Sequence, residues 1–404
     1  MEKIEKALNY IKKYGLYPEV PVVSSPHAPE TIVNGKKVLL FATNNYLGLM
    51  HDERVVTAAI EGVKKWGIGN GSARLLTGNI KIHQQLEEKI AGFKHREAGI
   101  TFVSGYMANL GAIPAIVNFF KPSISSLLRG KIERDKNTIV FSDEYNHASI
   151  IAGIRLSGVQ KEIYKHTDVD DLRNKLIKYS IKTRKIIITD GVFSMDGDIA
   201  PLPDILDLAK KYNALVYLDD AHATGILGKN GRGIEDYFGI DNGVDVVMGT
   251  FTKAFGGVGG FVAGSKILID YLKISSDSFI FTAPIAPPVV YGLMKAIEIV
   301  EKEPWRRKKL LENTEYLRNR LKELNFDTGT SNTQIIPIII GDEKKSIMVS
   351  RFLLEKNIFI PVARWPAVPQ KQARLRTTLM CDHTFEQIDC LVSTLVEIRK
   401  KIKF

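Results

Sequence analysis

Five short segments, Thr138–Ser142, Lys185–Thr189, Ala214–Leu218, Val244–Met248 and Gly260–Ala263, are apolar on consecutive positions, and each runs into a polar or glycine-containing turn. A strand with one face in water alternates apolar and polar residues, whereas a strand covered on both faces does not. Runs of this kind therefore predict buried strands of a parallel sheet. Between them lie amphipathic stretches such as Leu202–Tyr212, where Ile205, Leu208 and Ala209 share one helical face. The alternation predicts a doubly wound α/β domain in the middle of the chain.

After about Pro288 the pattern changes. A long helical region, Val289 to Leu324, carries dense charge, and its Arg306, Arg307, Lys308 and Lys309 run reads as a solvated face. Strands are expected at Gln334–Ile340, Ile358–Val362 and Leu375–Leu379, with a helix at Ser346–Lys356. The expected organisation is an N-terminal arm over residues 1–55, a large α/β domain over 56–288 and a smaller C-terminal α+β domain over 289–404.

Composition excludes several function classes. With 404 residues, 45% hydrophobic and 25% charged, the chain can bury a substantial core, which argues against disorder. Lys and Arg outnumber Asp and Glu by 56 to 45, a net charge of +11. That excess suits nucleic acid, an anionic membrane or a polyanionic small substrate. Aromatic residues do not interleave with a continuous basic patch, so nucleic acid is not expected. Ala98 to Phe120 is uncharged and long enough to span a bilayer, but Ser104, Gly105, Asn109, Gly111, Pro114 and Asn118 interrupt it. It reads as a buried strand, a turn and a buried helix. The first residues lack the apolar core of a signal peptide. Cys381 and Cys390 cannot build a disulfide framework. A cytoplasmic protein with no membrane span is expected.

The strand Ala214–Leu218 ends in Asp219-Asp220-Ala221-His222. Acidic residues at the carboxyl end of a buried parallel strand sit where α/β sheets bind ligands. A P-loop nucleotidase is excluded because its phosphate loop is missing. A metal site is not expected, because no further His/Asp cluster completes a coordination sphere. A third reading pairs Asp219 with a protonated heterocyclic nitrogen. Asp220 points to the opposite face and reads as structural. Another strand ends in GTFTKAFGG (249–257), placing Lys253 among hydroxyls and glycines. An imine-forming lysine with an Asp that holds a pyridinium proton is what pyridoxal phosphate chemistry requires. A phosphate site fits Ser104-Gly105-Tyr106, where an apolar strand turns into a helix start. GIGNG (67–71) looks like half a dinucleotide fingerprint, but TAAIEGVKKW before it reads as helix, so a Rossmann site is not expected.

These residues carry a resemblance. FATNNYLGL (41–49), ARLLTGN (73–79), SGYMAN (104–109), SDEYNHASI (142–150), TDGVFSMDGDIAPL (189–202), LDDAHATG (218–225), GTFTKAFGG (249–257), FIFTAPIAPP (279–288) and ARLRTTLMCDHT (373–384) follow one another as in the α-oxoamine synthases. The resemblance covers about residue 40 to the C-terminus. It implies the fold type I of pyridoxal-phosphate transferases: a mostly parallel seven-stranded sheet flanked by helices, with a smaller α+β domain. It also implies a homodimer whose active sites lie at the subunit interface.

Carried over position by position, the resemblance implies that Lys253 holds the cofactor covalently and moves the Cα proton. Asp219 would pair with the pyridinium nitrogen, and His147 would stack on the ring. His222 and Ser194 would bond the phenolic oxygen. Gly105 and Tyr106 would meet the phosphate through backbone N–H groups, Thr250 through its hydroxyl, and Thr282 from the other subunit. Arg376 would clamp the amino-acid carboxylate with Asn44 beside it, and Arg374, on the same strand face, would be a salt-bridged scaffold residue. Asp190 and Asp196 would be loop groups supporting the site.

The reaction so implied condenses a small amino acid (Ala, Gly or Ser) with an acyl-CoA or acyl-carrier thioester. It releases CoA and usually CO2. SGYMAN and RWPAVP (364–369) are similar to 8-amino-7-oxononanoate synthases. GGVGGFVAG (256–264) is closer to serine palmitoyltransferases, and FTAPIAPP is spaced as in 2-amino-3-ketobutyrate CoA ligases. A type I aminotransferase would use the same Lys and Asp. The segment VNFFKPSISSLLRGKIERDK (117–136) is longer than the family's usual connection and is expected either to shape the acyl or CoA entrance or to be a neutral surface loop.

Overall fold

The computed structural model describes residues 1–13, 17, 20–119 and 137–404. A short hairpin, β1 (Glu30–Val33) and β2 (Lys36–Leu40), precedes the main sheet. Its strands are β3 (Ala98–Phe102), β4 (Thr138–Asp143), β5 (Gln160–Tyr164), β6 (Arg184–Asp190), β7 (Ala214–Asp219), β8 (Val246–Thr250) and β9 (Gly260–Gly264), and all but β5 are the apolar runs of the sequence. These seven lie in the order β3-β9-β8-β7-β6-β4-β5, parallel except for β9, which runs antiparallel to both its neighbours.

Both faces of the sheet are covered, which is why the runs do not alternate in the sequence. Ile187, Val216 and Leu218 point into one hydrophobic core, while Ile186, Ile188 and Tyr217 point into the other. β5 was not expected. It is the polar edge strand QKEIY, mostly exposed, and so lacks the continuous apolar signal of its neighbours. The uncharged stretch from Ala98 forms β3, a turn and the helix Gly105–Val117. No helix among the described residues is long and apolar enough to cross a membrane.

The C-terminal region adds β10 (Ile335–Gly341), β11 (Ile358–Phe359), β12 (Val362–Ala363) and β13 (Ala373–Thr378). β10, β13 and β12 form a sheet in that order, whereas β11 pairs in parallel with β2 and ties the N-terminal hairpin to this region. Two expectations need correction here. The strand expected at Ile358–Val362 is two short strands, β11 and β12, separated by Ile360 and Pro361, and proline offers no N–H to a ladder. The long helix expected from Val289 to Leu324 is two helices, Pro287–Lys302 and Pro304–Glu323, divided at Glu303 before Pro304.

The reading of Arg306 and Arg307 as solvated is also wrong. They are only 9% and 6% exposed. Arg306 donates to Glu303 and Asp52 at 2.8 Å each and to the Leu47 carbonyl at 2.9 Å, and Arg307 donates to the Val300 carbonyl at 2.6 Å. A charge run shows no difference between a face in water and a face whose guanidinium groups find buried carboxylates and carbonyls. Residues 120–136, most of the long connection singled out above, lie outside the described residues.

The loop after β5 is locked by His166. Its Nδ1 lies 3.0 Å from Asp143 and its Nε2 lies 2.8 Å from Asp198, with the ring stacked on Tyr145. Burial opposes charge on this ring, but the two carboxylates overcome it and raise its pKa to about 10. A raised folded-state pKa adds stability below the unfolded value near 6.5, and that stability is lost as pH rises through about 10. His166→Ala is expected to lower unfolding free energy by about 2 kcal/mol near pH 6, discounted for partial solvent access. In urea titrations the gap to the wild type should narrow steadily between pH 6.5 and 10.

Candidate active site

Asp190, Asp219 and Thr250 are the last residues of β6, β7 and β8, so the sheet delivers three polar side chains to one edge. They line a cavity of about 210 Å³, joined by His147 from the turn after β4, Gly105 and Tyr106 from a helix start, and His222 and Lys253 from the loops after β7 and β8. The position at the carboxyl ends of parallel strands is the one α/β sheets use for ligands.

Asp219 is 3% exposed and tightly oriented. Asn109 Nδ2 donates to its Oδ2 at 2.7 Å, and the Ala221 N–H reaches Oδ1 at 3.1 Å. Asn109 is held in turn by the Tyr217 hydroxyl, which donates to its Oδ1 at 2.7 Å. Sequence reasoning missed Asn109. Its signal is a lone amide one turn into the otherwise apolar helix GYMANLGAIPAIV. Lys253 faces this carboxylate, and its pKa falls to about 8. Burial is the main cause; the Asp219 charge works against it and the Arg376 charge adds to it.

His147 does two jobs. It caps the helix Ala148–Ser157, accepting from the Ser149 N–H at 3.3 Å, and its ring still lines the cavity. Burial lowers its pKa; the Asp219 charge opposes this and the Lys253 charge reinforces it. His222 is buried, with Nδ1 at 3.0 Å from the Tyr46 hydroxyl, and its backbone carbonyl accepts from Gln334 at 2.7 Å. Burial first, then the Lys253 and Arg376 charges, hold its imidazole well below the ordinary pKa, so it is neutral.

At the other end of the cavity, the helix Gly105–Val117 uses the Met107 N–H to meet its cap, Ser104 Oγ, at 3.1 Å. The Gly105 and Tyr106 N–H groups belong to its first turn, where no intrahelical acceptor exists. A Cβ on Gly105 would come within 3.1 Å of Met248 Cε and 3.3 Å of Thr250, so glycine is what lets the helix start sit against β8. Thr250 Oγ1 donates to the Gly259 carbonyl at 2.8 Å and lies 2.9 Å from the Thr252 hydroxyl. Thr252 also lines the cavity and was not foreseen.

The remaining expected residues lie outside the cavity lining. Arg376, on β13, donates from Nε to the Ser194 carbonyl at 2.6 Å, and its charge is felt by Lys253, His222 and Tyr46. Asn44 accepts from the Tyr46 hydroxyl at 3.2 Å. The Thr282 hydroxyl donates to the Ser278 carbonyl at 2.5 Å. Arg374 is buried against Asp196 and Gln372, as expected of a scaffold residue. Asp220 pairs with Lys94 at 2.6 Å on the far side of β7. Asp190 was expected in a supporting loop, but it ends β6 and reaches the cavity.

The donor set fits pyridoxal phosphate. A lysine of depressed pKa can attach an aldehyde, a buried oriented carboxylate can pair with a ring N–H, and unpartnered helix N–H groups suit a phosphate. Comparison with known proteins agrees. The family model for aminotransferase class I and II matches residues 36–395. The 8-amino-7-oxononanoate synthase of Thermoanaerobacter pseudethanolicus is 43% identical over 100% of this chain and 98% of its own. That of Lysinibacillus sphaericus is 44% identical over 99% of both. The serine palmitoyltransferase of S. paucimobilis, solved with a bound PLP–myriocin aldimine, superposes with a TM-score of 0.90 at 29% identity, covering 99% of this chain and 98% of that one. The architecture is the type I fold of pyridoxal-phosphate enzymes, as the motifs implied. The chain belongs to the class I and II aminotransferase family and, within it, to the α-oxoamine synthases, enzymes that work with pyridoxal phosphate.

Proposed function

We propose that this chain condenses a small amino acid with an acyl thioester, in the manner of the 8-amino-7-oxononanoate synthases to which it is similar over its whole length. The observation that carries the site assignment is Lys253, a buried amine with its pKa lowered to about 8, facing the oriented Asp219 carboxylate in one cavity.

Lys253 would attach the cofactor, Asp219 would pair with its ring nitrogen, His147 would lie against its ring, and His222 and Ser194 would serve its phenolic oxygen. Gly105, Tyr106 and Thr250 would hold its phosphate. Bound there, pyridoxal phosphate supplies an electron sink for charge developing at the amino-acid Cα. Arg376 and Asn44 hold the substrate carboxylate and so fix which Cα bond faces the reacting plane. The Lys253 amine, its pKa lowered to about 8, is placed to take the Cα proton. His147, which lines the cavity, donates to the thioester carbonyl as the new C–C bond forms. Overall, an amino acid and an acyl thioester give an α-oxoamine, a thiol and CO2. The enzyme works as a cytoplasmic homodimer in which Thr282 completes the partner's phosphate site. In support, Thr282 lies outside its own chain's cavity, and the adjacent Phe281 is 77% exposed.

Two outcomes test this reading. Cofactor-free enzyme should capture pyridoxal phosphate faster as pH rises through about 8, because only the deprotonated Lys253 amine is nucleophilic. Stopped-flow absorbance gives the midpoint, and an ordinary lysine would instead titrate near pH 10.5. Incubation with L-alanine and a pimeloyl thioester should release thiol and CO2 in equal amounts. Serine with a long-chain thioester is the second reading, favoured by the superposition on serine palmitoyltransferase. Accumulation of a keto acid without thiol release would make the chain an aminotransferase instead.

A further inference from the structure

Asp190 and Asp219 end neighbouring strands and stand opposite each other in register. Both are buried, and both reach the cavity. Pairing with a ring nitrogen occupies one carboxylate, and Asp219 is the one aimed by Asn109 and Ala221. The hydrogen bonds of Asp190 point to a different task. Its Oδ2 accepts from the His147 N–H at 2.6 Å. Its own N–H donates to Asn146 Oδ1 at 2.8 Å, and Asn146 Nδ2 donates to the Ile188 carbonyl at 2.7 Å and to Ser142 Oγ at 2.9 Å. The turn carrying His147 is thereby stitched to the end of β6. The His147 N–H precedes the helix Ala148–Ser157 and has no intrahelical acceptor, so Asp190 alone satisfies it among the described residues.

We infer that Asp190 is a positioning residue that, by accepting the His147 N–H, holds His147 over the cavity; this rests on the role proposed above for His147. A carboxyl buried beside another carboxylate is pushed toward its uncharged form unless donors and cations offset the burial. Asp219 accepts two N–H groups from Asn109 and Ala221, and Asp190 accepts one. The groups facing Asp190 are the Asp219 and Asp143 carboxylates, the Lys253 amine and the His147 N–H. Burial and then Asp219 push its carboxyl well above the usual range, outweighing the His147 N–H and Lys253.

The test is a double-mutant cycle on the holoenzyme, reading the cofactor dissociation constant and kcat. Asp190→Ala is expected to worsen both about tenfold in the wild-type background, the scale of one lost buried hydrogen bond. In His147→Ala the same change should cost less than about twofold, because the group it positions is gone. Asp190→Asn, an uncharged mimic, should leave the pH midpoint of the cofactor's visible band in place. Equal losses from Asp190→Ala in both backgrounds would overturn the inference. So would a midpoint shift of about one unit in Asp190→Asn, the response to removing a neighbouring charge. Failure of the underlying site reading has a separate signature: His147→Ala alone would then bind cofactor and turn over like the wild type.

Discussion

A carboxylate buried at the centre of a sheet is costly unless the protein supplies hydrogen bonds and an opposing charge, and the arrangement around Asp219 supplies both. Asn109 and the Ala221 N–H orient it, and Lys253 faces it from the next strand end. One helix, Gly105–Val117, sets the scale of the site. Its first turn presents N–H groups that have no partner among the described residues at one end of the cavity, and its second turn brings Asn109 to Asp219. The spacing between those N–H groups and the Asp219 carboxylate is therefore built into one rigid element. The close seat of that helix against β8 depends on Gly105 and Gly260; a Cβ on Gly260 would lie 2.6 Å from Gly105 Cα.

His222 joins groups from distant stretches of the chain. Tyr46 comes to it from the N-terminal segment, Gln334 from the strand region of the C-terminal part, and Arg376 acts on it from β13. The Tyr46 hydroxyl joins His222 to Asn44, so the residues assigned to the phenolic oxygen and to the substrate carboxylate share one buried contact. Arg306 fastens the same N-terminal segment through Leu47 and Asp52. The segment is thus fastened behind the cavity lining, at Tyr46 by His222 and at Leu47 by a buried guanidinium.

The parallel strands and the Asp219–Lys253 pair were legible in the sequence because each leaves a local trace. Double burial makes a run apolar throughout, and a charged residue directly after such a run is conspicuous. The supporting groups left no such trace. Asn109 is one amide in an apolar helix, and Tyr46 resembles any core tyrosine. Asp190 sits between the expected strand Lys185–Thr189 and a glycine, and reads as a turn residue until the register with β7 is known. Arg306 and Arg307 misled for the same reason: charge is visible in sequence, but its partners, Asp52 and the Leu47 and Val300 carbonyls, come from other elements or the preceding helix. Edge strand β5 was missed because an edge carries polar residues.

The central claim is that Lys253 is the residue to which the cofactor is attached. Borohydride reduction of the holoenzyme, followed by proteolysis and mass spectrometry, tests it directly, because reduction makes the lysine linkage permanent. The account predicts a single reduced pyridoxyl adduct on the peptide containing Lys253, and loss of that adduct from all peptides in Lys253→Ala. An adduct on any other lysine of the wild type, or stoichiometric labelling that survives Lys253→Ala, would contradict it.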